Sequence, residues 1–236
     1  MRYFIITLLS IVCFTSSSAQ GSFWFGPKAG PTLAFQEWNS FDRQVLRDWH
    51  IAAFIESYNE DEDGSFIAQL GYHTRGSAIR VINGFTFNTN NVGFKFNNAS
   101  LLLGVKRPLP IKGKWTPYYM IGARLEYTLR TNLEEFSEEN IAASSIYYPI
   151  PEFVNKVNYG LSMGAGAKFS ISEFVGGFVD ITISPDLSYQ YQQPALGNIV
   201  NPNGGGSISI GERQIRNMTL EISFGVNLLR KVIYED

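Results

Sequence analysis

The chain has 236 residues, of which 44% are apolar, 14% aromatic and only 17% charged, and its net charge is −2. Soluble domains average about 25% charged residues, so this chain is poor in charge. The near-neutral charge argues against a nucleic-acid binder, and the 18 Phe, 12 Tyr and 4 Trp exclude a disordered chain. A mean hydropathy of −0.06 without a long internal apolar run excludes a helical membrane protein. These exclusions leave a single β-rich domain.

The first 19 residues have the pattern of a secretory signal peptide. Arg2 supplies a short basic start, residues 3–14 form an apolar core, and small residues follow as far as Ala19. A core of about a dozen residues is too short to span a bilayer as a helix. We therefore expect export, with cleavage after Ala19, and a mature domain over residues 20–236. The single cysteine lies in the signal core, so the mature chain has none.

Eight later segments alternate apolar with polar or small side chains at a period of two, which predicts β-strands. In the last of them, Leu220, Ile222 and Phe224 fall on one face, and small or charged residues lie between them. The fourth segment starts out of phase, because Phe94 and Phe96 fall on its polar face. We therefore expect a bulge or bend near Asn97.

The connections between the segments alternate strictly in length. The long ones are Glu37–Asp48, Ala78–Gly93, Leu129–Lys156 and Ser188–Gln214. A membrane barrel with both termini in the periplasm has short periplasmic turns and long extracellular loops. The alternation therefore predicts an eight-stranded antiparallel up-and-down transmembrane β-barrel, whose four long loops lie at the cell surface.

The composition of the two strand faces distinguishes a membrane barrel from a soluble one. The exterior of a soluble barrel is rich in Lys and Glu, whereas the polar face here is mainly Gly, Ser, Thr and Asn. Small residues suit the crowded interior of an eight-stranded barrel. Aromatic residues near strand ends, such as Trp49, Tyr119 and Tyr159, suit the two membrane interfaces. A soluble barrel of the lipocalin kind is the less favoured alternative.

Charged side chains on the polar face are expected to meet inside the barrel. Each would be costly if unpaired, so we expect a network of pairs. The network could act as a gate or proton path, or it could simply fill the barrel, and the second reading is favoured. Its expected members are Lys28, Glu56, His73, Arg75, Arg124, Glu126, Lys168, Asp180 and Glu221.

Three stretches resemble the PorT-like outer-membrane β-barrel family of Gram-negative bacteria. They are GPKAGPTLAF at residues 26–35, NYGLSMGAGAKF at residues 158–169 and TLEISFGVNL at residues 219–228. The resemblance extends over essentially the whole mature chain and implies a location in the cell outer membrane. For some members the family name implies a part in the secretion of proteins across that membrane.

Little in the sequence indicates catalysis or cofactor binding. The mature chain has two histidines, His50 and His73, and no cysteine, so we expect no metal and no cofactor. A lipid-modifying enzyme would need a nucleophile, a histidine and an acid together. Glu56 and Ser77 lie on the same or a neighbouring segment to His73, but no His-x-Ser pair occurs. We expect a protein that is not an enzyme.

The surface loops offer the better candidates for recognition. The third loop carries an acidic run, in which a solvated face is favoured over an ion site or a contact for a basic partner. Aromatic side chains in the third and fourth loops are candidate contacts for a partner protein: Tyr147, Tyr148, Tyr189 and Tyr191. We expect outer-membrane lipid and envelope proteins as partners, and no nucleic acid. The expected role is a structural or accessory component of an outer-membrane secretion or assembly complex. A small-solute or lipid-handling channel and a lipid-modifying enzyme remain as alternatives.

Overall fold

A computed structural model describes residues 21–38, 43–58, 64–82, 89–111, 113–142, 147–201 and 206–231 of the chain. The predicted signal peptide lies outside the described residues. Eight long strands form the wall of the molecule: β1 (Phe23–Gln36), β3 (Leu46–Ser57), β4 (Ser65–Ile82), β5 (Thr89–Pro108), β6 (Trp115–Thr131), β7 (Val157–Ser170), β8 (Val175–Pro185) and β13 (Asn217–Arg230). The loops add five short strands: β2 (Arg43–Gln44), β9 (Tyr191–Gln193), β10 (Leu196–Val200), β11 (Ser207–Ile210) and β12 (Arg213–Ile215).

The eight long strands close into one antiparallel barrel. Each pairs with its neighbours in sequence, and β1 pairs with β13 from Phe23 opposite Arg230 to Gln36 opposite Asn217, which closes the ring. The predicted fold class, an eight-stranded up-and-down transmembrane β-barrel, is confirmed. Both described ends of the chain lie at the end of the barrel that carries the short turns, which we call the short-turn end; the opposite end is the loop end.

The two faces of the wall have the chemistry of a membrane barrel. Large apolar side chains point outward and are exposed, among them Phe66 (75%), Trp49 (69%) and Leu70 (66%). Polar and charged side chains point inward and are buried, including Arg75 at 1% exposure and Glu126 at 1%. Since exposed rings and buried ions would both be unfavourable for a barrel in water, the outer face is built to meet lipid.

The irregularity expected near Asn97 is present, but the extra residue lies on β6, and the alternation along β5 itself is not interrupted. The pairing of β5 with β6 shifts between Asn97 and Asn98, and Leu129 is the extra residue on the partner strand. Phe94 and Phe96 nevertheless keep the alternation and are fully buried on the inner face. They are apolar because they lie beyond the polar interior, beneath the loops.

The long loops contain more regular structure than the sequence predicted. Most of the predicted loop Ala78–Gly93 is a continuation of the β4–β5 ladder, which pairs as far as Ile82 opposite Thr89. The third loop contains helix α1 (Leu133–Ala142) and a short 3₁₀ helix (Pro151–Phe153). The fourth loop contains two two-stranded ladders, β9 with β12 and β10 with β11. No helix among the described residues is long and apolar enough to cross a membrane.

Candidate functional site

A cluster of buried ionic side chains occupies the barrel interior towards the loop end. Arg75 projects from β4 and bonds through Nη2 to Glu126 Oε1 at 2.6 Å and through Nη1 to Glu221 Oε1 at 2.8 Å. Arg124 on β6 contacts Glu126 and Asp186. We call Arg75, Arg124, Glu126, Asp186 and Glu221, together with His73, the central cluster. Alternating carboxylates and guanidinium groups offset the cost of removing each charge from water.

Two histidines extend the central cluster across adjacent strands. His73 Nδ1 lies 2.7 Å from Glu221 Oε1, and since a carboxylate only accepts, Nδ1 carries the proton. The His50 ring stacks on the His73 ring with centroids 5.5 Å apart. His50 itself contacts the hydroxyls of Thr32 and Ser223, so both of its ring nitrogens have partners. The histidines are hydrogen-bonding members of the interior.

A second ionic cluster lies at the short-turn end. One oxygen of the Glu56 carboxylate accepts a hydrogen bond from Lys106 Nζ at 2.9 Å. The other oxygen accepts from Lys168 Nζ at 2.6 Å and from the Ser65 hydroxyl. We call Glu56, Lys106 and Lys168 the mouth cluster. It contains two ammonium groups and one carboxylate, and therefore carries one formal positive charge.

An apolar layer separates the two ionic clusters. It consists of inward-facing Phe54, Ile67, Leu102, Tyr118 and Phe178, which we call the aromatic layer. The Phe54 and Phe178 rings meet edge to face at 5.3 Å, and Lys106 Nζ lies 3.9 Å from the centre of the Tyr118 ring. The hydroxyl of Tyr118 donates to Asp180, which also pairs with Lys28 at 3.6 Å. Large rings therefore cross the interior.

Glycines on the neighbouring strands leave space for these rings. A Cβ at Gly166 of β7 would lie 2.7 Å from the ring of Tyr118. That distance is well inside van der Waals contact, so a larger residue would displace the ring. A Cβ at Gly225 of β13 would likewise overlap the ring of Phe178, so these two glycines leave space for rings of the aromatic layer.

Side-chain amides form a layer above the central cluster. Asn217 Nδ2 donates to Gln190 Oε1 at 2.8 Å and to Asp186 Oδ2 at 2.7 Å. Gln190 in turn donates to the Thr128 hydroxyl at 2.7 Å, and Gln36 donates to Asn217 Oδ1. Gln190 and Asn217 are buried although Gln190 belongs to the fourth loop. The amide layer therefore ties a loop to the barrel wall.

An apolar core lies above the amide layer and joins all four long loops. It contains one or more residues from each loop or its base, and we call it the loop core: Trp38, Phe94, Phe96, Leu133, Phe136, Tyr191 and Ile215, with Tyr148, Phe153 and Val154 packed against it. The Trp38 and Phe94 rings lie 4.9 Å apart, and Phe94 and Phe136 lie 4.8 Å apart. The loops therefore pack into a cap over the loop end.

Two polar groups in the cap have shifted pKa values because they are buried. Burial raises the pKa of the Tyr191 hydroxyl to about 12. That hydroxyl donates to Gln193 Oε1 at 2.7 Å and accepts the backbone N–H of Ile150 at 3.2 Å. Burial also lowers the pKa of Arg213, whose Nη2 donates to the carbonyl of Tyr147 at 2.9 Å. Both groups connect the third loop to the fourth.

The structure brings the nine predicted interior residues into the barrel, but divides them among separate sites. His73, Arg75, Arg124, Glu126 and Glu221 meet in the central cluster, whereas Glu56 and Lys168 meet in the mouth cluster and Lys28 pairs with Asp180. The predicted network omitted Lys106 and Asp186, each of which bridges or completes a cluster. Lys106 could have been included, since it lies on the polar face of its segment.

The three residues considered for a catalytic triad do not come together. Glu56 and His73 both face inward, but Glu56 pairs in register with Ile67, six residues along β4 from His73. Six strand residues span about 20 Å. His73 bonds to Glu221 instead, and Glu56 is held by the two lysines. Among the described residues, no group of three His, Cys, Asp or Glu side chains is arranged to hold a metal ion.

The four candidate loop tyrosines have different environments. Tyr191 is completely buried in the loop core, so it is a packing residue of the cap and does not offer a surface to a partner. Tyr148 is half-buried against Phe136, with ring centroids 5.7 Å apart, and Tyr147 packs on Tyr148. Tyr189 is half-buried beneath the guanidinium of Arg216, 4.3 Å from the ring centre.

Comparison with solved structures identifies the same fold. The outer membrane protein OprG from Pseudomonas aeruginosa aligns over 89% of this chain and 96% of its own, with a TM-score of 0.52 and 9% identity. Neisserial surface protein A aligns over 88% and 98%, with a TM-score of 0.48 and 11% identity. Outer membrane protein AlkL aligns over 92% and 93%, with a TM-score of 0.48 and 9% identity.

No family model matches the chain, and no curated protein matches it. The similarity to OprG is one of fold, because the identity of 9% is too low to carry a residue's role from one chain to the other. The chain therefore has the eight-stranded barrel fold of outer-membrane proteins, and its closed interior and folded loop cap must be interpreted from its own residues.

Proposed function

We propose that this protein is a non-enzymatic, integral protein of the cell outer membrane that serves as a structural or accessory component of an envelope complex. The observation that carries the proposal is the filled interior: the aromatic layer, the central cluster, the amide layer and the loop core succeed one another along the barrel axis. A barrel filled in this way is a rigid scaffold whose two ends are available for contacts with other molecules. The short-turn end then faces the periplasm and the loop end faces outward.

The exposed part of the cap supports a role in recognition. Glu134, Glu135 and Glu138 of α1 point to solvent, while Leu133 and Phe136 on its other side hold the helix in the loop core. Tyr147 and Tyr148 follow this helix in the sequence. Tyr148 packs on Phe136 of the loop core, and Tyr147 packs on Tyr148. A rigid acidic and aromatic surface suits an envelope protein as partner. The PorT-like resemblance supports a complex concerned with secretion or assembly.

A photo-crosslinking experiment in native outer membranes tests the partner. Benzoylphenylalanine placed at Tyr147 and at Tyr189 is expected to link the chain to an envelope protein. The same group at Tyr127, which faces lipid at 48% exposure, is the matched control and is expected to give no protein adduct. If mild-detergent extracts contain this chain alone and neither loop position gives an adduct, the proposal of an accessory component is wrong.

The filled interior argues against a small-solute or lipid-handling channel. Tyr118 and Phe178 are buried rings inside the barrel, and the loop core covers the opposite end. We therefore expect the purified protein to show no step conductance in planar bilayers. Regular conductance steps from the purified chain would favour the channel. For the enzyme alternative, a changed lipid profile that depends on His73 would be the contradicting result.

A further inference from the structure

A cavity opens at the short-turn end and is not explained by the filled interior above it. Its volume is about 690 Å³, within the range of about 300–1,000 Å³ that is typical of small-molecule sites. The aromatic layer forms its inner limit through Tyr118, and Trp24, Trp115 and Phe169 contribute to its sides. The rings of Trp115 and Phe169 pack together at 4.7 Å. Aromatic residues therefore form part of the wall, beside polar residues such as Ser57, Thr116 and Ser170.

Among the described residues that line the cavity, basic side chains outnumber acidic ones. Lys114 and Lys168 are the basic residues among its described lining, and Glu56 is the acidic one. Glu56 forms ion pairs with both Lys106 and Lys168. An ammonium group has three N–H donors, and Lys168, which is 27% exposed, directs one of them to Glu56. An acceptor on the cavity side would bind one of the other two donors.

A second polar group at the cavity lacks a partner. Asn227 projects inward from β13, is only 7% exposed and lines the cavity. Its Oδ1 is buried without a hydrogen-bond partner. An unpaired buried amide oxygen costs about 1–3 kcal/mol, so a ligand that lets this side chain form a hydrogen bond would be stabilised. Rotation of the amide by a half-turn would present its NH₂ to an acceptor.

We propose that this cavity is a binding site for an organic anion: a carboxylate or phosphate group carried on an aromatic or apolar body. Lys168 contacts the anionic group, Lys114 adds charge at the rim, and Asn227 donates a hydrogen bond. Trp24 and Tyr118 pack against the body of the ligand. The site opens to the periplasm if the orientation under the proposed function holds, but the binding itself does not depend on a partner complex.

Binding of 4-fluorobenzoate to the whole protein in lipid nanodiscs, followed by fluorine NMR, tests the site. We expect saturable binding to the wild type and at least about tenfold weaker binding to Lys168→Met, because a charge-assisted hydrogen bond is lost. Lys168→Arg retains the charge and is expected to retain binding. Lys156→Met, an exposed lysine at the loop end, is the matched control and should bind as the wild type does.

The variant is expected to fold, because Glu56 keeps Lys106 and the Ser65 hydroxyl when Lys168 is replaced. Heat-modifiable gel migration of each variant confirms that the barrel is intact. The cation 4-fluorobenzylamine is expected to bind at least about tenfold more weakly than the anion of similar shape. Equal binding of the two probes, or equal affinity of Lys168→Met and the wild type, would overturn the proposal.

Competition with inorganic phosphate distinguishes the two anion types within the proposal. Displacement of 4-fluorobenzoate by phosphate at similar concentration indicates a site for phosphate groups. If phosphate does not displace the probe, the site selects a carboxylate on an aromatic body. Asn227→Leu is expected to weaken probe binding about threefold, which is the size of effect that one neutral hydrogen bond gives. The proposed function fails separately, by the absence of crosslinked partners.

Discussion

The interior of the barrel and the loop core above it bury opposite kinds of side chain. Inside the barrel, Arg75, Glu126 and Glu221 are each at most 3% exposed, and Arg75 bonds to both carboxylates. On β5, Asn98 donates to Glu126 Oε2 at 2.7 Å, whereas Phe96 and Phe94, two and four residues nearer the loop end, are fully buried among apolar neighbours. One strand therefore contributes to a polar core within the membrane and to an apolar core outside it.

The environment of the wall explains this difference. Where the strands face lipid, apolar side chains are used on the outside, and the narrow interior is left to polar groups that must pair. Beyond the lipid, water surrounds the loops, and the hydrophobic effect again places aromatic residues inside. The amide layer lies between the two cores and bonds to both: Asn217 donates to Asp186 of the central cluster, and Gln36 accepts from the Trp38 indole of the loop core.

The largest expected effect is the loss of the shared cation in the polar core. Arg75→Met removes the cation that Glu126 and Glu221 share, and leaves the buried carboxylates only Arg124 and His73, respectively, as basic partners in the central cluster. Breaking a buried pair in this way costs about 3–5 kcal/mol. We expect a lower free energy of unfolding in detergent, measured by urea titration of the heat-modifiable band. Arg130→Met, at an exposed position of β6, is the control.

The triple variant Arg75→Met, Glu126→Gln, Glu221→Gln tests the cause of that loss. If unpaired charge is responsible, neutralising the two carboxylates restores a large part of the stability of the single variant. No recovery would mean that the packing of the arginine, and not its charge, is what the interior requires.

The loop core should fail separately from the barrel. Phe136→Ala removes a ring that packs on Phe94 and Tyr148, and such truncations cost about 3–5 kcal/mol in a packed core. Since the cap is a local unit, we expect rapid proteolysis of the third loop while heat-modifiable migration is unchanged. Phe174→Ala, at an exposed position of a short turn, is the matched control. Loss of the folded barrel band would show that the two cores are one cooperative unit.

The sequence predicted the barrel because alternation reports directly on lipid contact. Each of the eight predicted segments corresponds to one long strand, the second extending one residue past the end of β3, and the alternating connection lengths placed the loops at one end. The cap could not be predicted in the same way. Leu133, Phe136 and Asn140 have helical spacing, but α1 is only 10 residues long and its stability comes from loops distant in sequence.

The sequence predicted which charged residues point into the barrel, but not how far along the barrel axis each of them lies. Alternation shows that Glu56 and His73 point inward, but it does not show how strands are staggered, and the stagger separates them. Gln190 lies in the predicted surface loop Ser188–Gln214, but the loop folds back and buries it. Contacts that depend on the return of a long loop have no local signal in the sequence.

A pH dependence is expected for the loop core through Tyr191. Burial raises the pKa of its hydroxyl from 10.0 to about 12. Between these values the unfolded tyrosine loses its proton while the folded one keeps it, so stability is full below pH 10 and falls as pH rises towards 12. The loss is at most about 2.7 kcal/mol, since one pKa unit is about 1.36 kcal/mol. Loop proteolysis should accelerate over this range.

Tyr191→Phe removes the titrating group and is the control for that dependence. The variant should lack one high-pKa tyrosine in the ultraviolet titration, and the increase in proteolysis between pH 10 and pH 12 should be smaller than in the wild type. An equal increase in both proteins would place the alkaline sensitivity elsewhere in the cap.

The smallest effect is expected where an ion pair lies outside both cores. Lys95 Nζ lies 3.0 Å from Asp48 Oδ2, but Lys95 is 45% exposed and Asp48 25%. Water and salt screen such a pair, so Lys95→Met should change the free energy of unfolding by less than about 1 kcal/mol. The difference should vanish in about 1 M salt, where screening acts over only about 3 Å. Arg75→Met should keep its deficit in the same salt, because its partners are shielded from solvent ions by the barrel wall. A salt response of equal size in the two variants would remove the distinction between exposed and buried charge on which the two-core comparison depends.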